Sequence, residues 1–308
     1  MKLVQFSTAH ADRHAGILVG QEVVDVTEIL ESIAIDPEHL QRYRRLGVAV
    51  HPQGWMRWLQ AGTQGRALLQ PVLAQALTQA NRARYPLHEV RLHAPIDRPG
   101  KIIEIGRNYG EHAKETGVAA FEKPRIVFKM PSSICDPESH VPIPPDIVKM
   151  DFEAELVVMI GDFAHQVSQE LALSFVAGYA ALNDLSAREL QFDIQPAQTT
   201  FAKSMDGFCP LGPWMVTADE VADPQALQID CWVNGQLMQH ANTHDMLFSV
   251  AKLIHYTCQF MTLEPGDLIA TGTPAGVGAF RNPPVWLKSG DRVEVEVQGL
   301  GRLVTHVA

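Results

Sequence analysis

The chain of 308 residues carries a formal net charge of −10, with 46% hydrophobic and 19% charged residues. That balance belongs to a folded chain rather than a disordered one, and its surface repels phosphate backbones, so no nucleic-acid partner is expected. An anionic small molecule is not excluded, because local cations or a bound metal can reverse the field at one site.

The length suits one large or two modest domains with a sizeable core. Cys135, Cys209, Cys231 and Cys258 form no C-x-x-C pair and no zinc-like cluster, so a reduced, cytoplasmic protein is expected. Met1 to His10 lacks an apolar signal core, and no run of about 18 apolar residues exists, so neither secretion nor a membrane span is expected.

In chain order, Gly16–Gly20 and Glu22–Val26 read as a hairpin. From Asp36 to about Arg84 apolar residues recur three and four apart, as in Ala67, Leu68, Pro71, Val72, Ala76 and Leu77, which predicts helix. The Pro-rich stretch from Tyr85-Pro86 to Pro99-Gly100 marks a boundary between a small N-terminal α+β domain, residues 1–95, and a larger domain, residues 96–308. The larger domain reads mainly as strands, including Lys101–Ile105, Leu156–Ile160, Ile229–Val233, Leu268–Thr271 and Val293–Val297. Glu294 and Glu296 alternate with valines, the pattern of a half-exposed strand. Helices are predicted over Gln169–Ala177 and Met246–Gln259. Without regular βαβ alternation the fold class is α+β and β-rich rather than a doubly wound sheet.

The chemistry concentrates in acidic positions. In Asp151-Phe-Glu-Ala-Glu-Leu-Val-Val-Met-Ile, Glu153 and Glu155 lie two apart and point to one side of a strand entering a buried layer. Two such carboxylates repel each other and resist desolvation, and a divalent cation would remove both costs. The same spacing also suits a wet strand face. Asp184, ending the apolar run from Val176, could add a third carboxylate or cap a helix at Leu185. A site of oxygen ligands alone selects Mg²⁺, Mn²⁺ or Ca²⁺ over Zn²⁺.

His112 and Glu115 are three apart and share a face if helical, giving a carboxylate-oriented base or an ordinary surface pair. The stretch from Glu115 to Lys123 has the small residues of a mobile lid or of a plain loop. Lys129 and Lys203 sit singly among apolar residues, where a solvated face competes with a functional role. Thr271-Gly-Thr273-Pro-Ala-Gly276-Val-Gly278 is not a nucleotide loop, but its N–H groups and the Thr273 hydroxyl could meet a carboxylate.

These segments together resemble the fumarylacetoacetate hydrolase family from about Arg98 to Val307. Gly106-Arg-Asn-Tyr, His112 and Glu115 come first, then Phe128-Lys129-x-Pro131-Ser-Ser and Glu153-x-Glu155-Leu. Gly178-Tyr, Asn183-Asp184-x-Ser-Ala-Arg188, Lys203-Ser-x-Asp206 and Thr271-Gly-Thr273-Pro-x-Gly276-Val-Gly278 follow in the family's order. The resemblance implies a mixed β-sandwich roll behind a small variable domain, a metal (Mg²⁺ or Mn²⁺) on Glu153, Glu155 and Asp184, and a homodimer. It further implies a His112–Glu115 dyad, a catalytic Lys203, and substrate contacts from Lys129, Arg188, Gln191 and Thr273. Ala202 departs from the family's usual glycine. The activity implied is hydrolysis of a 3-acylpyruvate to pyruvate and a carboxylic acid through a metal-stabilised enolate, the base acting on water. Oxaloacetate decarboxylation and keto–enol tautomerisation follow from the same chemistry. A non-catalytic binding protein on this fold would be expected to lack His112, Glu115, Lys129 and Lys203, all of which are present.

Overall fold

The structure, a computed structural model, describes every residue except His10, Val118 and Ala120. It opens with an antiparallel meander of β1 (Lys2–Thr8), β2 (Ala11–Val19) and β3 (Glu22–Asp25). The expected hairpin is the pairing of β2 with β3, Ile17 facing Val24 and Val19 facing Glu22. The helical stretch divides into α1 (Pro37–Leu46), α2 (Gly54–Gln60) and α3 (Gly62–Thr78). Asp36 starts α1: its carboxylate accepts Glu38 N–H at 2.8 Å, and Pro37, with no N–H to leave unpaired, takes the first helical position.

Beyond residue 100 strands dominate. In order they are β4 (Ile102–Gly106), the short α4 (Gly110–Glu115), β5 (Arg125–Lys129), β6 (Ala154–Ile160), β7 (Val176–Asn183), β8 (Cys209–Thr217), β9 (Gln228–Val233) and β10 (Gln236–Asn242). Then follow α5 (Val250–Cys258), β11 (Leu268–Ala270), β12 (Arg292–Val297) and β13 (Gly301–Val307). The large sheet runs β3-β2-β1-β8-β7-β6-β11-β4-β5. It is mixed, with β11 and β4 parallel and β6 antiparallel to both its neighbours. A second sheet, in the order β10-β9-β12-β13, packs on one face through a shared core of Leu156, Val158, Ile160, Val295 and Leu303. The molecule is α+β and β-rich, as expected.

The apolar run of β6 follows from its central place. Leu156, Val158 and Ile160 face that core, while Val157 and Met159 face a second one with Leu3, Trp55, Leu59, Leu211 and Leu268. Both faces are covered, so every residue of the strand is buried. The N-terminal 95 residues share this second core, and β1 hydrogen-bonds to β8 with Lys2 opposite Val216 and Leu3 opposite Met215.

Three local expectations are corrected. Gln169–Ala177 is not a helix: only a 3₁₀ turn forms at Ala172–Phe175, and Val176 begins β7 because it pairs with Ile160. The helix expected from Met246 starts at Val250, where the Ser249 hydroxyl caps Lys252 N–H at 3.3 Å. Glu294 is buried rather than half-exposed, because Arg302 Nη1 lies 3.1 Å from its carboxylate and Arg292 pairs with it too. Among the described residues no helix is long and apolar enough to cross a membrane, and the four cysteines form no disulfide.

Candidate metal centre and active site

Strand pairing delivers the acidic cluster. In the β6–β7 pair Ala154 faces Asn183, so Glu153 and Asp184 meet just beyond the paired ends, where Asp184 N–H donates to the Glu153 carbonyl at 2.8 Å. Glu155 stands two residues after Glu153 on the same side. One carboxylate oxygen from each of Glu153, Glu155 and Asp184 lies within 4.8 Å of the other two, and all three residues are buried. The wet strand face is therefore excluded, and Asp184 caps no helix, since Ser186-Ala187 continues as a strand.

The surroundings make the cluster tolerable. Lys203 Nζ donates to Glu153 Oε2 at 2.9 Å, to the Ser186 hydroxyl at 2.8 Å, and to Asp184. Arg188 donates from Nη2 to Glu153 at 2.6 Å and from Nε to Asp151 at 2.8 Å. Burial alone would raise the Glu153 pKa, but Lys203 and Arg188 hold it below the usual carboxylate range. Glu155 goes the other way: burial and the charges of Asp184 and Glu153 push it well above that range. Burial lowers the affinity of Lys203 for its proton, yet Asp184 and Glu153 more than reverse this and keep it charged.

These groups fit a divalent cation. Among the described residues, Glu104, Asp151, Glu153, Glu155 and Asp184 are buried with the cations Lys129, Arg188 and Lys203, five acids to three bases, an excess of acid that a divalent ion would offset. Lys129 Nζ is 2.8 Å from Asp184 Oδ1 but out of hydrogen-bond alignment, so that oxygen, like both oxygens of Glu104, has no hydrogen bond among the described residues. The donors are all carboxylate oxygens, the set that suits hard ions.

The dyad sits across the cavity. Asn108 is fully buried, accepts Phe248 N–H at 2.9 Å and donates to the Thr271 carbonyl at 2.8 Å, fixing the start of α4. On that helix His112 Nδ1 lies 2.6 Å from Glu115 Oε1, while Glu115 Oε2 accepts Gly276 N–H at 3.0 Å. His112 lines the cavity with Lys203, Thr273, Gln191, Phe192 and Phe280. The lid expected over Glu115–Lys123 contains Val118 and Ala120, which lie outside the described residues.

The glycine-rich loop meets carboxylates as expected, but they are the protein's own. Gly272 N–H donates to Glu155 at 2.8 Å, and Gly278 and Ala279 N–H donate to Asp151 at 2.7 and 3.0 Å. Gly272 has φ 98°, and a Cβ there would fall 2.8 Å from the Ile105 carbonyl, so only glycine fits. The Thr273 hydroxyl accepts from Gln239 Nε2 at 2.8 Å.

Two expected substrate contacts are relocated. Lys129 is walled in behind the cluster, bonded to the Phe208 carbonyl at 3.0 Å and to the Leu185 and Lys203 carbonyls, and it does not line the cavity. Arg188 lines the cavity, but its guanidinium is taken up by Asp151, Glu153 and the Gln191 side chain at 2.6 Å. Glu104 was not anticipated. It lines the cavity, and burial and nearby Asp184 push its pKa up to about 8. A lone acid in Ile102-Ile103-Glu104-Ile105 is the signal that could have found it, the same signal that marks Lys129.

Residues 101–308 match the family described as fumarylacetoacetate (FAA) hydrolase C-terminal. The chain belongs to the fumarylacetoacetate hydrolase family. A mitochondrial oxaloacetate tautomerase of Homo sapiens is 38% identical over 307 residues, covering 100% of this chain and 91% of the relative. One of Bos taurus is similar to the same degree, 38% over 307 residues with the same coverage of 100% and 91%. Among solved structures, maleylpyruvate hydrolase from Sphingobium sp. SYK-6, in complex with manganese(II) ion and pyruvate, matches at a TM-score of 0.76 and 30% identity, over 100% of this chain and 99% of that one. Fumarylacetoacetate hydrolase from Exiguobacterium antarcticum matches at 0.76 and 32%, again over 100% and 99%. The fumarylacetoacetate hydrolase fold is thus shared along the whole chain, including its first 95 residues.

Proposed function

We propose that this chain is a divalent-metal-dependent enzyme that interconverts the keto and enol forms of a small 2-oxo diacid of the oxaloacetate kind. The observation that carries the reading is one cavity holding both the Glu153–Glu155–Asp184 cluster and a histidine with a free ring nitrogen. The relatives named as oxaloacetate tautomerases support the choice of reaction over hydrolysis. Mg²⁺ or Mn²⁺, held by the three carboxylates, would supply positive charge where the 2-oxo oxygen becomes electron-rich.

The remaining chemistry falls to side chains. The short contact to Glu115 places the neutral His112 proton on Nδ1, which leaves Nε2 as an acceptor with no protein partner among the described residues. Nε2 takes a proton from the carbon next to the oxo group, and the same imidazole returns it to oxygen, so composition is unchanged. Lys203, held by Glu153, Asp184 and Ser186, contributes positive charge beside the cluster. Lys129 and Arg188 keep the acidic side chains in place from behind. Assembly as a homodimer is part of the same reading, supported by the exposed apolar side chains of Met130 and Phe201, on segments joined by a 3.0 Å bond from Met130 N–H to Ser204.

Cleavage of a 3-acylpyruvate is the second reading, favoured by the similarity to maleylpyruvate hydrolase. It needs His112 to deprotonate a water instead of a carbon. The test follows the ultraviolet band of enolic oxaloacetate, and of a small panel of 3-acylpyruvates, with Mg²⁺, Mn²⁺ or EDTA. The proposal expects metal-dependent loss of the oxaloacetate enol to exceed acylpyruvate cleavage. Faster acylpyruvate cleavage would move the assignment to the second reading, and no metal-dependent conversion of either would leave a binding protein.

A further inference from the structure

The cations around the cavity fall into two groups. Lys129, Lys203 and Arg188 are buried and saturated by protein acceptors. Arg107 and Arg125 line the same cavity, yet among the described residues neither guanidinium has a hydrogen bond or an ion pair. The Phe121 ring lies 5.5 Å from the Arg107 guanidinium.

The fold forces these two together. Gly106, the last residue of β4, pairs with Arg125, the first of β5, so Arg107 follows directly beside Arg125. Arg107 holds a left-handed φ of 57°, uncommon for a residue with a side chain. Burial and the charge of Arg125 both lower its pKa, as expected of two cations in close company. Like charges without a counter-ion are unfavourable, and in a chain of net charge −10 a carboxylate to pair with either was readily available. Two guanidiniums at one mouth instead match the planar, bidentate geometry of a carboxylate brought by the ligand.

We propose that Arg107 and Arg125 clamp a second carboxylate of the substrate and make the enzyme selective for 2-oxo diacids over 2-oxo monoacids. The inference rests on the reading that the 2-oxo end lies at Glu153, Glu155 and Asp184. Both arginines are specificity residues and take no part in moving protons.

The test compares oxaloacetate with pyruvate, which keeps the 2-oxo acid but lacks the second carboxylate. Enolisation of each is followed for the Mn²⁺-loaded protein, by the ultraviolet band for oxaloacetate and by methyl hydrogen–deuterium exchange for pyruvate. Dissociation constants are measured alongside by calorimetry. In R107Q and in R125Q the ratio of kcat/KM for oxaloacetate to that for pyruvate should fall by at least about 10-fold, through KM and the dissociation constant, with R125K retaining part of the preference. An unchanged ratio in both variants overturns the clamp. Wild-type protein that binds and enolises both acids without preference overturns the clamp alone, and wild-type protein that binds neither overturns the reading of the site with it.

Discussion

His112 and Glu115 show how little geometry separates a surface pair from a buried, oriented imidazole. The 2.6 Å contact orients the ring, and the Gly276 N–H on the far carboxylate oxygen orients the orienter. Replacing His112 with alanine should reduce turnover of the true substrate by about 10²–10⁴-fold. Mn²⁺ affinity, measured by calorimetry, should stay within a few-fold, since His112 is not among the three carboxylates. Unchanged turnover would remove it from the mechanism. The pair was legible as an i,i+3 spacing, whereas its burial was not, because nothing in Gly110–Glu115 says which helix face meets the cavity. Lys129 and Lys203 make the same point: each stands alone in apolar sequence, and only the register of β4 with β5, with Ile102 opposite Lys129, sends one behind the cluster.

At the scale of elements the site is strand ends plus one loop. The loop after β11 carries its N–H groups to Asp151 and Glu155, so its glycines set the distance between the two halves of the site. A Cβ on Gly278 would fall 1.9 Å from the Val285 carbonyl and 2.6 Å from Asp151 Oδ1. Gly278→Ala should therefore destabilise the fold by about 1–3 kcal/mol and loosen Arg188, the partner of Asp151. Denaturant unfolding with a midpoint equal to the wild type would contradict this. The strands β9, β11 and β12 and the acidic mouth of β6 were readable from the chain, though not the burial of Glu294. The turn before β7 was not, because Gln169–Ala177 has helical spacing, and Val176 is drawn into the sheet by its partner Ile160.

For the whole molecule, buried Glu104 and Glu155 make stability depend on pH and metal together. Glu104, raised to about 8, and Glu155, also raised by burial, bind protons more tightly folded than unfolded, so without metal the stability they contribute below about pH 4.5 is lost as pH climbs through their raised range. A metal ion needs the deprotonated carboxylates, so its affinity should rise as pH climbs through the raised range of Glu155 and toward about 8, where neighbouring Glu104 loses its proton. The gain in Tm with excess Mn²⁺ over EDTA should grow across that range, corresponding to about 2.7 kcal/mol at a hundredfold excess over Kd. A gain independent of pH would show that the ion binds elsewhere. The union of β1 with β8 has another consequence. Any replacement for the leading segment would have to present an edge strand in the register that sets Leu3 against Met215, and a greasy undersurface that fits Val157 and Met159. The front of the chain is thus free to diverge in its turns and helix surfaces, while the strip that seals the roll is held to a template written elsewhere in the polypeptide.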